Sequence, residues 1–268
     1  MTEEILKRIK QLPPLPETAM KIEEVYQNPN SNFQDMVKII EKDPLLTADI
    51  LKAANSPLYG FSREINSVSQ AVGLFGMGTV RGFALASIVK KSFSLDLSPY
   101  GLSDVAFAEL TKKEHALTTA WSLKKENRLM GVLSPAAFLI EIGKVIIAQV
   151  ILAEKKTEEF QDALEELNGD ADAAEMEIVG ATTPEVSAKI FEHWRFEDNL
   201  VDVIAHASTP MEAKNEDNKR AAAILHVVRT TISYNGQILE ENIQKAKELI
   251  AEYGLNEETY EHALEGLR

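Results

Sequence analysis

Five histidines and no cysteine set the limits of the chemistry this chain can do. The histidines are His115, His193, His206, His226 and His262. No pair of them falls at i and i+4, and HExxH is absent, so no local zinc motif exists. The absence of cysteine removes disulfides, thiolate metal sites and cysteine nucleophiles, and fits a reducing compartment. There is no P-loop, and no nucleophile elbow precedes any serine. The glycines of the 73–82 stretch, GLFGMGTVRG, superficially match a dinucleotide fingerprint. They follow a helical pattern rather than a strand, so the phosphate-binding context is missing. His193 lies near a helix end, His226 on an apolar helix where a satisfied core histidine is expected, and His262 on the surface. Any chemistry would therefore depend on side chains gathered from distant parts of the chain.

The elements that would gather them are helical. Apolar residues recur at helical spacing almost throughout, and strand alternation is nearly absent. Asp43 and Pro44 form an N-cap with proline at the first helical position, and Leu46, Ile50 and Ala53 follow on one face. Ser67 starts another helix with Ala71, Leu74 and Phe75 on its apolar side; Gly76 and Gly78 then form a break, and Thr79 opens the next helix. Leu46, Ile50 and Leu74 are expected in the core, and Asn55 is expected to bond backbone in the turn before Pro57. A helix, glycine turn and helix also occur in DNA-binding proteins, but only Arg81 precedes Lys90 and Lys91 here, so packing is the better reading.

After Lys91 the pattern breaks through the turn-rich 92–104 stretch, SFSLDLSPYGLSD, and Ser103 can cap the following helix. Further helices are expected over 104–127, 135–155, 157–167, 170–179, 184–195, 198–207 and 215–233. Tyr234, Asn235 and Gly236 end that group. A C-terminal pair follows, with Ile243, Ala246, Leu249 and Ile250 on one member, a stop at Gly254, and Tyr260, Ala263, Leu264 and Leu267 on the other, which Asn256 caps.

The length of 268 residues allows one large domain or two small ones, and 45% hydrophobic with 26% charged residues is ordinary for a globular protein. The net charge of −14 repels polyanions, so no nucleic-acid partner is expected. The N-terminus lacks a signal-peptide core, and the longest apolar run, 145–153, is too short to span a bilayer. No membrane segment and a cytoplasmic location are expected.

The run from Asp43 to Phe75 resembles the HDOD domain, a relative of the HD phosphohydrolases. The opening Leu12 to Pro16, LPPLP, supports the resemblance, as do three later segments in the family's order: AFLIEIGKVII, the segment from Glu185 to Pro210, and AAAILHVVRTT. The resemblance implies an all-α fold. An N-terminal helical subdomain, residues 1–94, precedes an HD-like helical core at 103–235, and a helical pair occupies 236–268.

It also implies where a metal site would be. The first family histidine corresponds to His115. The histidine–aspartate pair falls on Ile140 and Glu141, a further histidine on Thr183, a double histidine on His206 and Ala207, and the last aspartate on Arg229. An isoleucine cannot ligate a metal, and an arginine puts a fixed positive charge where a cation would sit. The site reads as dismantled: no catalytic residue, metal ligand or cofactor is assigned. Two aspartates that ligate one cation must converge, so Glu141 and Arg229 are expected to be neighbours, unless Arg229 turns to solvent.

The expected function is non-catalytic bacterial signal transduction through another signalling protein. The alternatives are a divergent metal-dependent phosphohydrolase or cyclic-dinucleotide phosphodiesterase using His115, Glu141 and His206, and a small-ligand-sensing module.

Overall fold

The helical periodicity is realised in the computed structural model, which describes residues 1–267 apart from 62, 94 and 124. The expected boundary at residue 94 lies outside the described residues. In chain order the first helices are α1 (Glu3–Lys10), α2 (Glu17–Gln27), α3 (Phe33–Ile40), α4 (Pro44–Ala54) and α5 (Val68–Lys91). They continue with α6 (Asp104–Ser122), α7 (Met130–Leu139), α8 (Gly143–Ala153), α9 (Thr157–Glu166) and α10 (Ala171–Val179). The last are α11 (Thr183–His193), α12 (Asp198–Ala205), α13 (Glu216–Thr231), α14 (Glu240–Glu252) and α15 (Glu257–Glu265). Among the described residues there is no strand, and Leu97 and Leu102 form only an isolated bridge.

Local chemistry explains the boundaries. Asp43 accepts from Leu45 N and Leu46 N at 3.0 Å and starts α4 with Pro44 behind it. Ser67, Ser103, Asp170, Asn215 and Asn256 cap their helices, and Thr182 with Glu185 completes a capping box. At the end of α4, Asn55 Nδ2 donates to the Leu51 and Ile65 carbonyls at 2.9 and 2.8 Å, and its Oδ1 accepts from Ile65 N at 2.8 Å. The asparagine thus ties the end of α4 to Ile65, a wider role than the turn before Pro57.

Three local expectations are corrected. Gly76, at φ +81°, kinks α5, whereas Gly78 sits within the helix. A Cβ on Gly78 would meet Gly131 Cα at 2.9 Å, so its role is close approach to α7. Leu74 is 52% exposed, because Val68, Ala71, Val72 and Phe75 form the buried face of that segment and Leu74 points away from it. The helix expected over 135–155 starts at Met130 instead and is interrupted by a 3₁₀ turn at 140–142.

Arg81 is fully buried, which removes it from any DNA surface. Its guanidinium binds both Glu23 oxygens at 2.6 and 2.7 Å, reaches Glu197 at 2.9 Å and lies 4.2 Å over the Tyr26 ring. Its Nη1 also donates to the Gly131 carbonyl at 3.2 Å. Pro135, four residues later in α7, has no N–H to offer that carbonyl, and Arg81 supplies the donor from another helix.

One hydrophobic core runs through all three segments. It includes Ile5, Val80 and Phe83, then Leu133 and Val145, and Ile250 and Tyr260 from the C-terminal pair. The 92–103 stretch contributes buried Leu97, Tyr100 and Leu102. The proline-rich opening is tied down by Trp194 Nε1, which donates to the Pro13 carbonyl at 2.9 Å. Val68–Lys91 and Asn127–Ala153 are long and apolar enough to cross a membrane, but 61% and 83% of their apolar windows are buried in this fold, where that apolarity serves the core.

Candidate functional site

The fold brings six ionisable side chains to one place: Glu114 from α6, Glu141 from the 3₁₀ turn, Lys144 from α8, Asp172 and Glu175 from α10, and Arg229 from α13. Arg229 Nε donates to Glu141 Oε1 at 2.8 Å. Its Nη1 and Nη2 hold the two Asp172 oxygens at 2.9 and 2.8 Å. The expected proximity of Glu141 and Arg229 is therefore present, and Arg229 does not turn to solvent. Ser208 Oγ donates to Asp172 Oδ2 at 2.5 Å and lies 3.3 Å from Arg229 Nη1. Lys144 donates to the other Glu141 oxygen and lies 3.9 Å from Glu175.

The electrostatics follow from this geometry. Burial is the largest influence on Glu141 and opposes its charge, but Lys144 and Arg229 together hold its carboxyl below the ordinary range. Arg229 does the same for Asp172, again against burial. Two cations are thus matched by two ionised carboxylates. The remaining two acids go the other way. Burial pushes Glu175 up to about 7, even though Lys144 and hydrogen bonds from Thr183 and Tyr100 favour its charged form. Glu175 accepts from Thr183 N at 2.5 Å, from Thr183 Oγ1 at 2.7 Å and from Tyr100 Oη at 2.8 Å. Burial and the neighbouring Glu141 raise Glu114 well above the carboxylate range, and its Oε2 is buried with no hydrogen-bond partner.

Of the other expected positions, Thr183 joins the cluster through Glu175, and the rest separate. His115, the residue after Glu114 on α6, points into an aromatic part of the core rather than into the cluster. It stacks on Phe138 at 3.8 Å, with Nδ1 2.6 Å from Tyr59 Oη and Nε2 2.8 Å from Ser134 Oγ. Burial depresses its pKa to about 3. His206 Nδ1 bonds the Asp202 carbonyl at 2.9 Å and does not line the cavity beside the cluster. Ile140 and Ala207 are buried apolar residues. His226 Nδ1 lies 2.8 Å from Tyr253 Oη, so it is satisfied, and it also lines the cavity.

That cavity, about 780 Å³, opens beside the cluster between α6, α9, α10, α13 and α14. Asp172, Glu175, Lys144, Tyr100 and Glu114 are the members of this site that the sequence reading did not single out.

A model of the HDOD domain matches residues 12–210. The chain belongs to the HDOD family. A solved virulence factor from Campylobacter jejuni subsp. jejuni is 30% identical to this HDOD chain, covering 99% of it and 94% of its own length, with a TM-score of 0.57. A protein of Shewanella amazonensis SB2B, provisionally described as a phosphohydrolase, is 21% identical at a TM-score of 0.70 and covers 99% and 96%. One from Marinobacter aquaeolei VT8, provisionally described as a signal transduction protein, is 23% identical at 0.69; all of this chain aligns with 59% of that one. An uncharacterised protein of Treponema pallidum (strain Nichols) is 33% identical over 73 residues, which is 27% of this chain and 14% of that protein. The all-α, HD-like fold agrees with these likenesses.

HD enzymes need histidine and carboxylate donors converging on a divalent cation. Among the described residues no group of three or more histidine, aspartate or glutamate side chains is arranged to hold a metal. The two convergent carboxylates, Glu141 and Asp172, bracket a guanidinium instead. This donor set does not fit the divalent cation of the HD enzymes.

Proposed function

We propose that this HDOD chain is a non-catalytic bacterial signalling protein that works in the cytoplasm by binding another signalling protein. The observation that carries the reading is Arg229 between Glu141 and Asp172. A permanent cation held by two carboxylates removes the charge and the open ligand positions through which a metal would polarise a phosphate. What remains is a rigid helical body with charge-matched interior groups, suited to presenting a surface. The acidic net charge of −14 favours a basic partner surface over nucleic acid.

The test has two arms. Protein purified without chelators should retain no stoichiometric manganese, iron or zinc, and should turn over neither phosphomonoesters nor cyclic dinucleotides. Metal-dependent turnover that disappears in both Glu141→Gln and Asp172→Asn would replace this reading with the phosphohydrolase one. In the second arm, crosslinking in intact cells should capture a defined protein, and its basic surface should tolerate no charge reversal.

A further inference from the structure

The cavity beside the ion-pair cluster has a chemical character of its own. Its lining carries six carboxylates, Glu114, Glu141, Glu165, Asp170, Asp172 and Glu241, against three cations, Lys144, Arg229 and Lys245. Lys144 and Arg229 are already committed to Glu141 and Asp172. An anion entering this space would meet unmatched carboxylates and find the deep cations occupied. A cation would meet one deep carboxyl oxygen that nothing in the fold satisfies, and its charge would favour ionising Glu114, whose neutral form burial and Glu141 otherwise favour. Glu114 is 2% exposed, lines the cavity, and its Oε2 has no hydrogen-bond partner. Buried polar atoms are nearly always satisfied, and an orphaned carboxylate oxygen facing a cavity of this size marks the place of a missing donor.

The rest of the lining narrows the class. Glu165, Asp170 and Glu241 are exposed, so negative charge also surrounds the mouth. Leu164, Leu167, Ile232 and Leu239 offer apolar surface. Tyr234 adds an aromatic ring, which attracts cations. An elongated molecule with a cationic nitrogen at each end and methylenes between matches all three features. We propose that the cavity is a binding site for a small aliphatic diamine or polyamine, with one ammonium donating to the Glu114 carboxylate and the other near the acidic mouth. The proposal goes beyond the protein-binding reading and does not depend on it.

Isothermal titration of the full chain with 1,4-diaminobutane, spermidine, magnesium chloride and inorganic phosphate tests it. Saturable binding is expected for the amines and none for magnesium or phosphate. Glu114→Gln keeps the shape but cannot ionise against the ammonium, and should weaken amine binding by about tenfold or more. Asn242→Trp, placed on the partly exposed lining from α14, should block the cavity and abolish binding with the cluster intact. Glu258→Gln, exposed on α15 and outside the cavity lining, should bind as the parent does. Circular dichroism establishes that each variant is folded, and if Glu114→Gln is not, Asn242→Trp decides. Amine affinity unchanged in either cavity variant, no amine heat up to ~10 mM, or preferential binding of magnesium or phosphate overturns the proposal.

Discussion

Arg229 Nε lies 2.8 Å from Glu141 Oε1, joining two positions 88 residues apart. Arg229 sits on a helix lined by Ala221, Ile224, Leu225 and Val228, and Glu141 on a turn between two of the most apolar helices in the chain. The two side chains are only 11% and 2% exposed, so each charge depends on its ion-pair partners rather than on water. Removing one partner therefore leaves the other buried and opposed, and Arg229→Met should destabilise the fold by about 3–5 kcal/mol. Arg229→Met with Glu141→Gln should cost less than the sum of the single changes. Urea denaturation of the four proteins of the cycle measures the coupling, and additive losses would mean that Asp172 and Lys144 carry the site without this pair.

Two parts of the site were open to sequence reading and the rest were not, for identifiable reasons. Glu141 and Arg229 stand at positions that a shared metal forces together, so losing both ligands still predicts their contact. Asp172 and Glu175 sit on a short acidic helix, ADAAEMEIV, which reads as a solvent-facing surface until Arg229 of α13 is seen to reach Asp172. Lys144 is a lone charge in an apolar run, and spacing alone does not reveal its partner. Tyr100 lies in a stretch that poor periodicity marks as a boundary, yet it is buried and bonded to Glu175. Glu114 stands beside His115, the residue type that draws a metal-site reading. Adjacent residues on a helix point about 100° apart, so a single step in alignment exchanges the cavity for the aromatic core.

The aromatic setting of His115 makes a pH prediction. Its folded pKa is depressed to about 3, whereas an unfolded chain protonates it near the ordinary value of about 6.5. Between those values the unfolded state binds more protons, so stability contributed by neutral His115 is present above about 6.5 and is lost as pH falls toward 3. Replacing it with asparagine should flatten the acid limb of the stability curve by about 1.4 kcal/mol per pH unit, one proton's worth. Stability measured by urea titration at several pH values between those limits tests this. Parallel acid limbs for parent and variant would place the proton uptake elsewhere.

The motif from Asp43 to Phe75 divides by exposure rather than by residue type. Leu46 is buried at 1% exposure and should cost on the order of 2–5 kcal/mol when changed to alanine. Leu74, at 52%, should change stability by no more than about 0.5 kcal/mol under the same substitution. Thermal and urea midpoints compare the two directly. Equal losses would mean that Leu74 is covered in solution.

Arg81 offers the most demanding test of how the N-terminal helices are joined to the rest. Its guanidinium uses several donors at once: two on Glu23 of α2, one on Glu197 ahead of α12, and one on the Gly131 carbonyl that Pro135 leaves without a helical partner. It also lies over Tyr26. A lysine carries the same charge but presents a single point of donors rather than a planar fork, so it cannot reach Glu23, Glu197 and the carbonyl together. Arg81→Lys should therefore lose about 3–5 kcal/mol, although it is conservative in charge. Arg81→Met strands both Glu23 and Glu197, and combining it with Glu23→Gln should recover part of the single variant's loss by removing one of those carboxylates. Glu197 and the Gly131 carbonyl would still lack the Arg81 donor, so recovery should stop short of the parent by about 1–3 kcal/mol. Because the pair is buried, raising the salt concentration should change these differences little, in contrast to the exposed Lys21–Glu17 pair. An Arg81→Lys protein as stable as the parent would show that charge alone, not the fork, holds the two helical groups together.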